Sequence, residues 1–171
     1  MTTGAVTPRL YRLAWPLGAG NLLQTVYNLA DMFWVGRVDA EAVAAVSLMF
    51  PTTYLFISVA MGLTAGANAV ISQHVGAGNE REAQNAVAQS VILALAVAGS
   101  LAAFGLTVRE PLVALIGAEG AVFDAALAYI EIIFLAIPFT FLFFVFRASL
   151  RAAGDTRTAM WLVAISAGLN I

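Results

Sequence analysis

The sequence contains no cysteine and no lysine, and only 11% of its residues are charged. Without cysteine the chain can form neither disulfides nor thiolate metal sites, and its redox compartment stays undetermined. The eight basic residues are all arginine, they form no long basic run, and the formal net charge is -2. This composition does not favour a nucleic acid as partner.

Signatures of enzymes are also missing from the sequence. There is no HExxH, no P-loop and no Rossmann glycine fingerprint, and the two glycines of Gly76-Ala77-Gly78 are too weak a pattern to predict phosphate binding. The sole histidine, His74, has no cysteine or second histidine nearby, so a metal site is not expected. We therefore expect neither an enzyme nor a cofactor, and any transport would use an ion gradient.

Apolar residues are in large excess. They make up 61% of the 171 residues, against about 45–50% in soluble domains. Four hydrophobic segments exceed the roughly 20 residues that a helix needs to cross a bilayer, and a fifth has only about 14 residues at the end of the sequence. The sequence therefore predicts an all-α membrane protein, a polytopic helix bundle. The approximate spans are 10–35, 42–71, 83–108, 122–146 and 158–171.

Short polar or glycine-containing segments separate these spans. Residues 109–111 (Arg-Glu-Pro) are predicted to end the third span, and the apolar residues 112–116 are predicted to form an interfacial turn because they are too few to cross. A membrane protein does not normally end inside the hydrocarbon layer with its last carbonyl groups unpaired. We therefore expect this sequence to be a piece of a longer protein.

The arginines are distributed unequally between the two ends of the predicted bundle. Six lie in the N-terminus, the second loop and the fourth loop, while the opposite loops hold two. The positive-inside rule then predicts a cytoplasmic N-terminus. We expect the membrane to be the plasma membrane. The six are Arg9, Arg12, Arg81, Arg147, Arg151 and Arg157, and the two are Arg37 and Arg109.

Asp31 is an acid inside the first apolar segment. A carboxylate there costs about 2.5–3.5 kcal/mol on insertion scales, and such residues usually face a protein interior or a wet cavity. Gln24 and Asn28 precede it by seven and three residues, so the three side chains share a helical face. The stripe indicates a proton or ion site. The alternatives are a structural acid at Asp31 and interhelical hydrogen bonding by Gln24 and Asn28.

Three separate stretches make the chain similar to a known family. They are LLQTVYNLADMFWVGR (22–37), ISQHVGAGNEREAQNAV (71–87) and RASLRAAGDTRTAM (147–160). In this order they resemble the N-terminal part of the multidrug and toxin extrusion (MATE) family, in particular its DinF-like prokaryotic branch. The resemblance implies the first four and a half helices of a twelve-helix transporter built from two six-helix lobes, and so a partial N-terminal lobe in residues 1–171.

The resemblance also implies roles for individual residues. Asp31 would bind the coupling proton with Gln24 upstream of it, while Tyr129 and Asn170 would belong to the same polar cluster. A second acid, one turn beyond that asparagine in the family, would lie past the end of this sequence. Tyr129 has an alternative as an interfacial aromatic, and Glu131, two residues later, is expected to be solvated.

These observations lead to one functional hypothesis with two alternatives. The hypothesis is a proton- or sodium-coupled antiporter that exports organic, often cationic, drugs or toxins by alternating access, with this segment inactive alone. Its partners would be a small-molecule substrate, the lipid bilayer and the remaining helices of the full-length transporter. The alternatives are a flippase for lipid-linked sugars or other lipids, and a truncated membrane protein that does not transport.

Overall fold

The computed structural model describes the backbone of residues 6–37 and 39–170 and the side chains of residues 14–37 and 39–169. The described residues form five α-helices joined by short turns, which confirms the predicted all-α fold class. The helices are α1 (Val6–Val35), α2 (Ala40–Gly76), α3 (Glu80–Leu115), α4 (Gly120–Ala152) and α5 (Thr156–Asn170).

Three of these helices, α2, α3 and α4, are long and apolar enough to cross a membrane. The 30 residues of α1 are sufficient in number, but the polar side chains of the stripe lower the apolar character of this helix. The described part of α5 has 15 residues, fewer than a crossing needs. Membrane crossing by α1 and by α5 therefore stays a prediction.

The interfacial turn predicted at residues 112–116 is wrong. α3 continues through Pro111 to Leu115, so residues 112–115 are helical and do not form an interfacial turn. Proline removes one backbone hydrogen bond, but Val113 is completely buried in the core beyond it, and this packing keeps the helix continuous. The chain turns later, where Gly117 adopts a φ of 86°, a left-handed conformation that favours glycine.

The core lies around α4, which packs against both α2 and α3. Ala94, Ala98 and Ala102 of α3 are buried at intervals of one helical turn, and their small side chains let another helix approach closely. Phe134 of α4 is fully buried, and its ring meets the ring of Phe56 of α2 edge-on, with centroids 5.4 Å apart. Helices α2, α3 and α4 thus form a three-helix unit.

The first and last helices form a second group. The principal partner of α1 is α5, and α5 also contacts α4. Much of α1 is exposed beyond this contact, including large apolar side chains. These exposed side chains are Leu22, Val26, Leu29, Met32, Phe33 and Trp34. Because α1 is only partly covered by the described helices, its polar stripe borders open space beside the three-helix unit.

Candidate functional site

Asp31 lies four residues before the end of α1, and its side chain is exposed. Asn28, one turn earlier on the same face, is also exposed, while Gln24 is half-buried. Helical spacing therefore brings the three side chains into one stripe, as the sequence predicts. The stripe runs from the middle of α1, where Gln24 is half-buried, toward the C-terminal end of the helix, where Asp31 is exposed.

Gln24 and Asn28 contact each other within the stripe. The amide Nε2 of Gln24 donates to Oδ1 of Asn28 at 3.4 Å, which is long for a hydrogen bond. The contact joins two turns of the same helix, so it does not link α1 to a neighbour. A bond of this length leaves both amides able to reorient toward a proton, an ion or a further side chain.

Tyr129 of α4 lies on the side of the three-helix unit that faces α1. It lies near Thr53 of α2, whose hydroxyl donates to the backbone carbonyl of Met49 at 3.1 Å, and within electrostatic range of Asp31 of α1. The Tyr129 side chain is half-buried and packs against the hydrophobic core. The structure thus brings Tyr129 into electrostatic range of the acid. The alternative of an interfacial aromatic stays a prediction.

Two residues join this cluster that the sequence did not single out. Tyr27 lies one turn before Asp31 on α1, and the charge of that carboxylate acts on its hydroxyl. The spacing of four residues could have identified Tyr27, because side chains at that spacing are neighbours on a helix. Thr53 carries no such signal, since only the packing of α2 against α4 brings it beside Tyr129.

Asn170 and Glu131 have separate outcomes. The side chain of Asn170 is outside the described residues, and only its backbone at the end of α5 is placed. Glu131 turns toward α3, where its Oε2 lies 3.8 Å from Nε of Arg109. The Glu131 side chain is 44% exposed and that of Arg109 is 31% exposed, so the pair is partly solvated. Glu131 thus pairs with α3 instead of lining the space around Asp31.

The chemistry of the cluster is that of oxygen ligands and exchangeable protons. One carboxylate, two amides and two phenolic hydroxyls can hold a proton or a hard cation such as sodium, which prefers oxygen ligands. Within the part of the chain that the structure describes, no group of three or more His, Cys, Asp or Glu residues is arranged to hold a metal ion.

Long apolar helices with a polar cluster between them define a polytopic helical membrane protein. The MatE family model matches residues 16–171, and the chain belongs to this family, the multidrug and toxin extrusion transporters. The predicted family assignment is confirmed.

The chain is also similar to individual proteins. The chain is 34% identical over 157 residues to the probable multidrug resistance protein YoeA of Bacillus subtilis, covering 91% of this chain and 34% of that protein. It is 30% identical over 145 residues to an FAD transporter of Shewanella oneidensis, covering 85% and 32% respectively.

A solved structure reproduces the fold. A MOP superfamily transporter from Pyrococcus furiosus superposes with a TM-score of 0.88 at 31% identity, covering 94% of this chain and 36% of that one. The chain thus spans about a third of the length of its relatives. This share is consistent with the first four and a half of twelve helices, which is the part of the family fold that the sequence predicts.

Proposed function

We propose that this chain forms part of a cation-coupled antiporter that exports organic, often cationic, drugs or toxins by alternating access. The observation that carries the proposal is the position of Asp31 on α1, within electrostatic range of a tyrosine of the three-helix unit. Its charge acts on Tyr27 of its own helix and on Tyr129 of the three-helix unit. A change in that charge alters the interaction between the two groups of helices.

The proposed coupling follows from this position. Protonation of Asp31 removes the negative charge near Tyr129 and gives the acid a hydroxyl that can donate a hydrogen bond on the face it shares with Asn28. Since α1 is held mainly by α5 while Tyr129 belongs to the three-helix unit, the loss of charge favours a different arrangement of the two groups. In that arrangement the affinity for the exported substrate falls, and the substrate leaves as the proton enters.

Sodium is an alternative coupling ion. A carboxylate with neighbouring amide oxygens suits a hard cation, and the Oδ1 of Asn28 lies one turn from Asp31 on the same face. In either case the remaining helices of the full-length transporter supply the other side of the cavity, with Asn170 near it on α5. We place the protein in the plasma membrane with its N-terminus in the cytoplasm, as the arginine distribution predicts.

The test uses the full-length transporter in proteoliposomes with a pH-sensitive dye inside. Asp31→Asn is expected to abolish substrate-stimulated proton movement without changing the amount of folded protein. Asp124→Asn on α4 is the matched control, because Asp124 is an exposed acid outside the polar cluster. Unchanged proton movement in Asp31→Asn would contradict the proposal, whereas dependence on sodium in place of pH would identify the other ion.

The FAD transporter among the relatives supports a second candidate substrate, an anionic dinucleotide. Proteoliposomes loaded with FAD or with a cationic dye distinguish the two, and a fluorescent phospholipid added to the same vesicles tests the flippase alternative. We expect export of the cationic dye to exceed that of FAD and of the lipid. Residues 1–171 produced alone are expected to transport none of them.

A further inference from the structure

A polar pocket separate from the Asp31 cluster lies where the end of α4 and the start of α5 meet the middle of α1. It is an open cleft in the surface that these three helices form together. We call it the arginine pocket, and its polar lining consists of Asn21, Arg147, Arg151 and Thr156. No acidic residue lines it among those that the structure describes.

The two arginines of this pocket lie one turn apart on α4, and both are half-buried. The guanidinium carbon of Arg147 lies 5.4 Å from the centroid of the Phe143 ring, and its Nε is buried with no hydrogen-bond partner among the described residues. A buried polar group without a partner is costly, and two adjacent cations repel each other. An anion seated between them would remove both penalties.

Two further features of the pocket favour an anion. Thr156 is buried at the start of α5 and lines the pocket. The carboxylate of Asp155 already caps the first turn of this helix, so the positive charge at the pocket comes from the two arginines. The Asn21 amide and the Thr156 hydroxyl add neutral hydrogen-bond donors to the two guanidinium groups. One guanidinium group can donate two parallel hydrogen bonds to two oxygens of the same phosphate. A phosphate group therefore suits this set of donors.

We propose that the arginine pocket binds the phosphate group of an anionic phospholipid from the leaflet at this end of the bundle. Pro16, Leu17 and Met160 give the pocket an apolar wall that an acyl chain can follow. The neighbouring Trp15 and Trp161 are both exposed, and exposed tryptophans are typical of the membrane interface. Basic pockets between membrane helices are known sites for lipid head groups.

Gly20 offers a test that leaves both arginines in place. It lines the pocket, and a β-carbon added there meets no atom within 4 Å. Gly20→Leu therefore fills the pocket without a clash at the β-carbon. Gly18→Leu is the matched control on the same helix, because Gly18 is exposed, has equally open space and does not line the pocket.

The arginines are tested separately with the double variant Arg147→Gln/Arg151→Gln. Arg157→Gln is the control, an exposed arginine of α5 that does not line the pocket. The measurement is native mass spectrometry of the full-length transporter in non-ionic detergent, titrated with phosphatidylglycerol, phosphatidylcholine or inorganic phosphate. We expect phosphatidylglycerol binding to weaken about tenfold or more in Gly20→Leu and in the double variant, and to be unchanged in both controls.

Three results would overturn the proposal. Equal retention of phosphatidylcholine and phosphatidylglycerol would show that no anionic group is recognised. Unchanged phosphatidylglycerol binding in either Gly20→Leu or the double variant would place the lipid elsewhere, or show that another helix of the transporter covers the pocket. Displacement of the lipid by millimolar inorganic phosphate would identify a soluble phosphate as the ligand.

Discussion

The ring of Phe134 lies directly against the α-carbon of Gly105, where any β-carbon would collide with it. Both residues are buried, and the contact joins α3 to α4 at the centre of the three-helix unit. Glycine is required here by the close approach of the ring rather than by backbone conformation. The surface on α4 that carries Tyr129 depends on this packing for its position.

Gly105→Ala is expected to destabilise the protein. Overpacking of a filled core costs about 1–3 kcal/mol, partly offset by up to about 1 kcal/mol from the better helix propensity of alanine. Thermal unfolding of the detergent-solubilised transporter measures the loss. Gly99→Ala on the same helix is the control, because Gly99 is exposed and its added β-carbon meets nothing within 4 Å. Equal stability of the two variants would show that the Phe134 ring moves freely.

Tyr129→Phe is expected to weaken coupling while leaving the core intact. The substitution removes the hydroxyl that lies near Thr53 and within electrostatic range of Asp31, but keeps the aromatic ring. The loss of one polar interaction with the acid is worth about 1 kcal/mol, so transport is expected to slow about fivefold and its pH midpoint to move. Initial transport rates across a pH series measure both effects. Tyr54→Phe, an exposed tyrosine of α2, is expected to change neither.

The Arg109–Glu131 pair is expected to contribute little to stability. Both side chains are substantially exposed, and partly solvated ion pairs are worth about 0–1 kcal/mol. A double-mutant cycle with Arg109→Gln and Glu131→Gln, read by thermal unfolding at low and high salt, measures the coupling energy. We expect at most about 1 kcal/mol at low salt, less at high salt, and unchanged transport. Loss of transport in Glu131→Gln would instead connect Glu131 to the ion site.

Asp155 is expected to make the start of α5 sensitive to acid. Its Oδ1 accepts a hydrogen bond from the backbone N–H of Thr158 at 3.0 Å, and hydrogen bonds from Thr158 hold the pKa of this carboxyl below its usual value of 3.8. A lowered pKa stabilises the folded state at pH above 3.8, and this contribution is lost as pH falls through the folded-state value. The protection of the first turn of α5 should therefore decrease below about pH 4.

Hydrogen–deuterium exchange of residues 156–160, corrected for the intrinsic pH dependence of exchange, measures that protection. Asp155→Asn is the matched variant, because asparagine caps a helix about as well but does not titrate in this range. We expect its protection to stay level between pH 5 and about pH 3 while that of the original sequence falls. Parallel curves would show that another group controls the acid response.

Much of this protein was predictable from local sequence. The apolar segments and the turn residues between them indicate helices because a backbone in hydrocarbon must satisfy its own hydrogen bonds. The stripe of Gln24, Asn28 and Asp31 followed from helical periodicity alone, and the family was evident in three short stretches. These features depend on residues close together in the chain, where spacing determines geometry.

Other features were decided only when the helices packed. The continuation of α3 through Pro111 depends on the burial of Val113, and the fit of Phe134 against Gly105 depends on how closely α3 and α4 approach. The closeness of Asp31 to Tyr129 and the pocket around Arg147 likewise depend on the packing of helices that are far apart in the sequence. Hydrophobicity and periodicity specify which face of a helix is polar. Which side chains of two helices come into contact depends on the angle at which the helices cross, and this angle depends on the shapes of both helix surfaces.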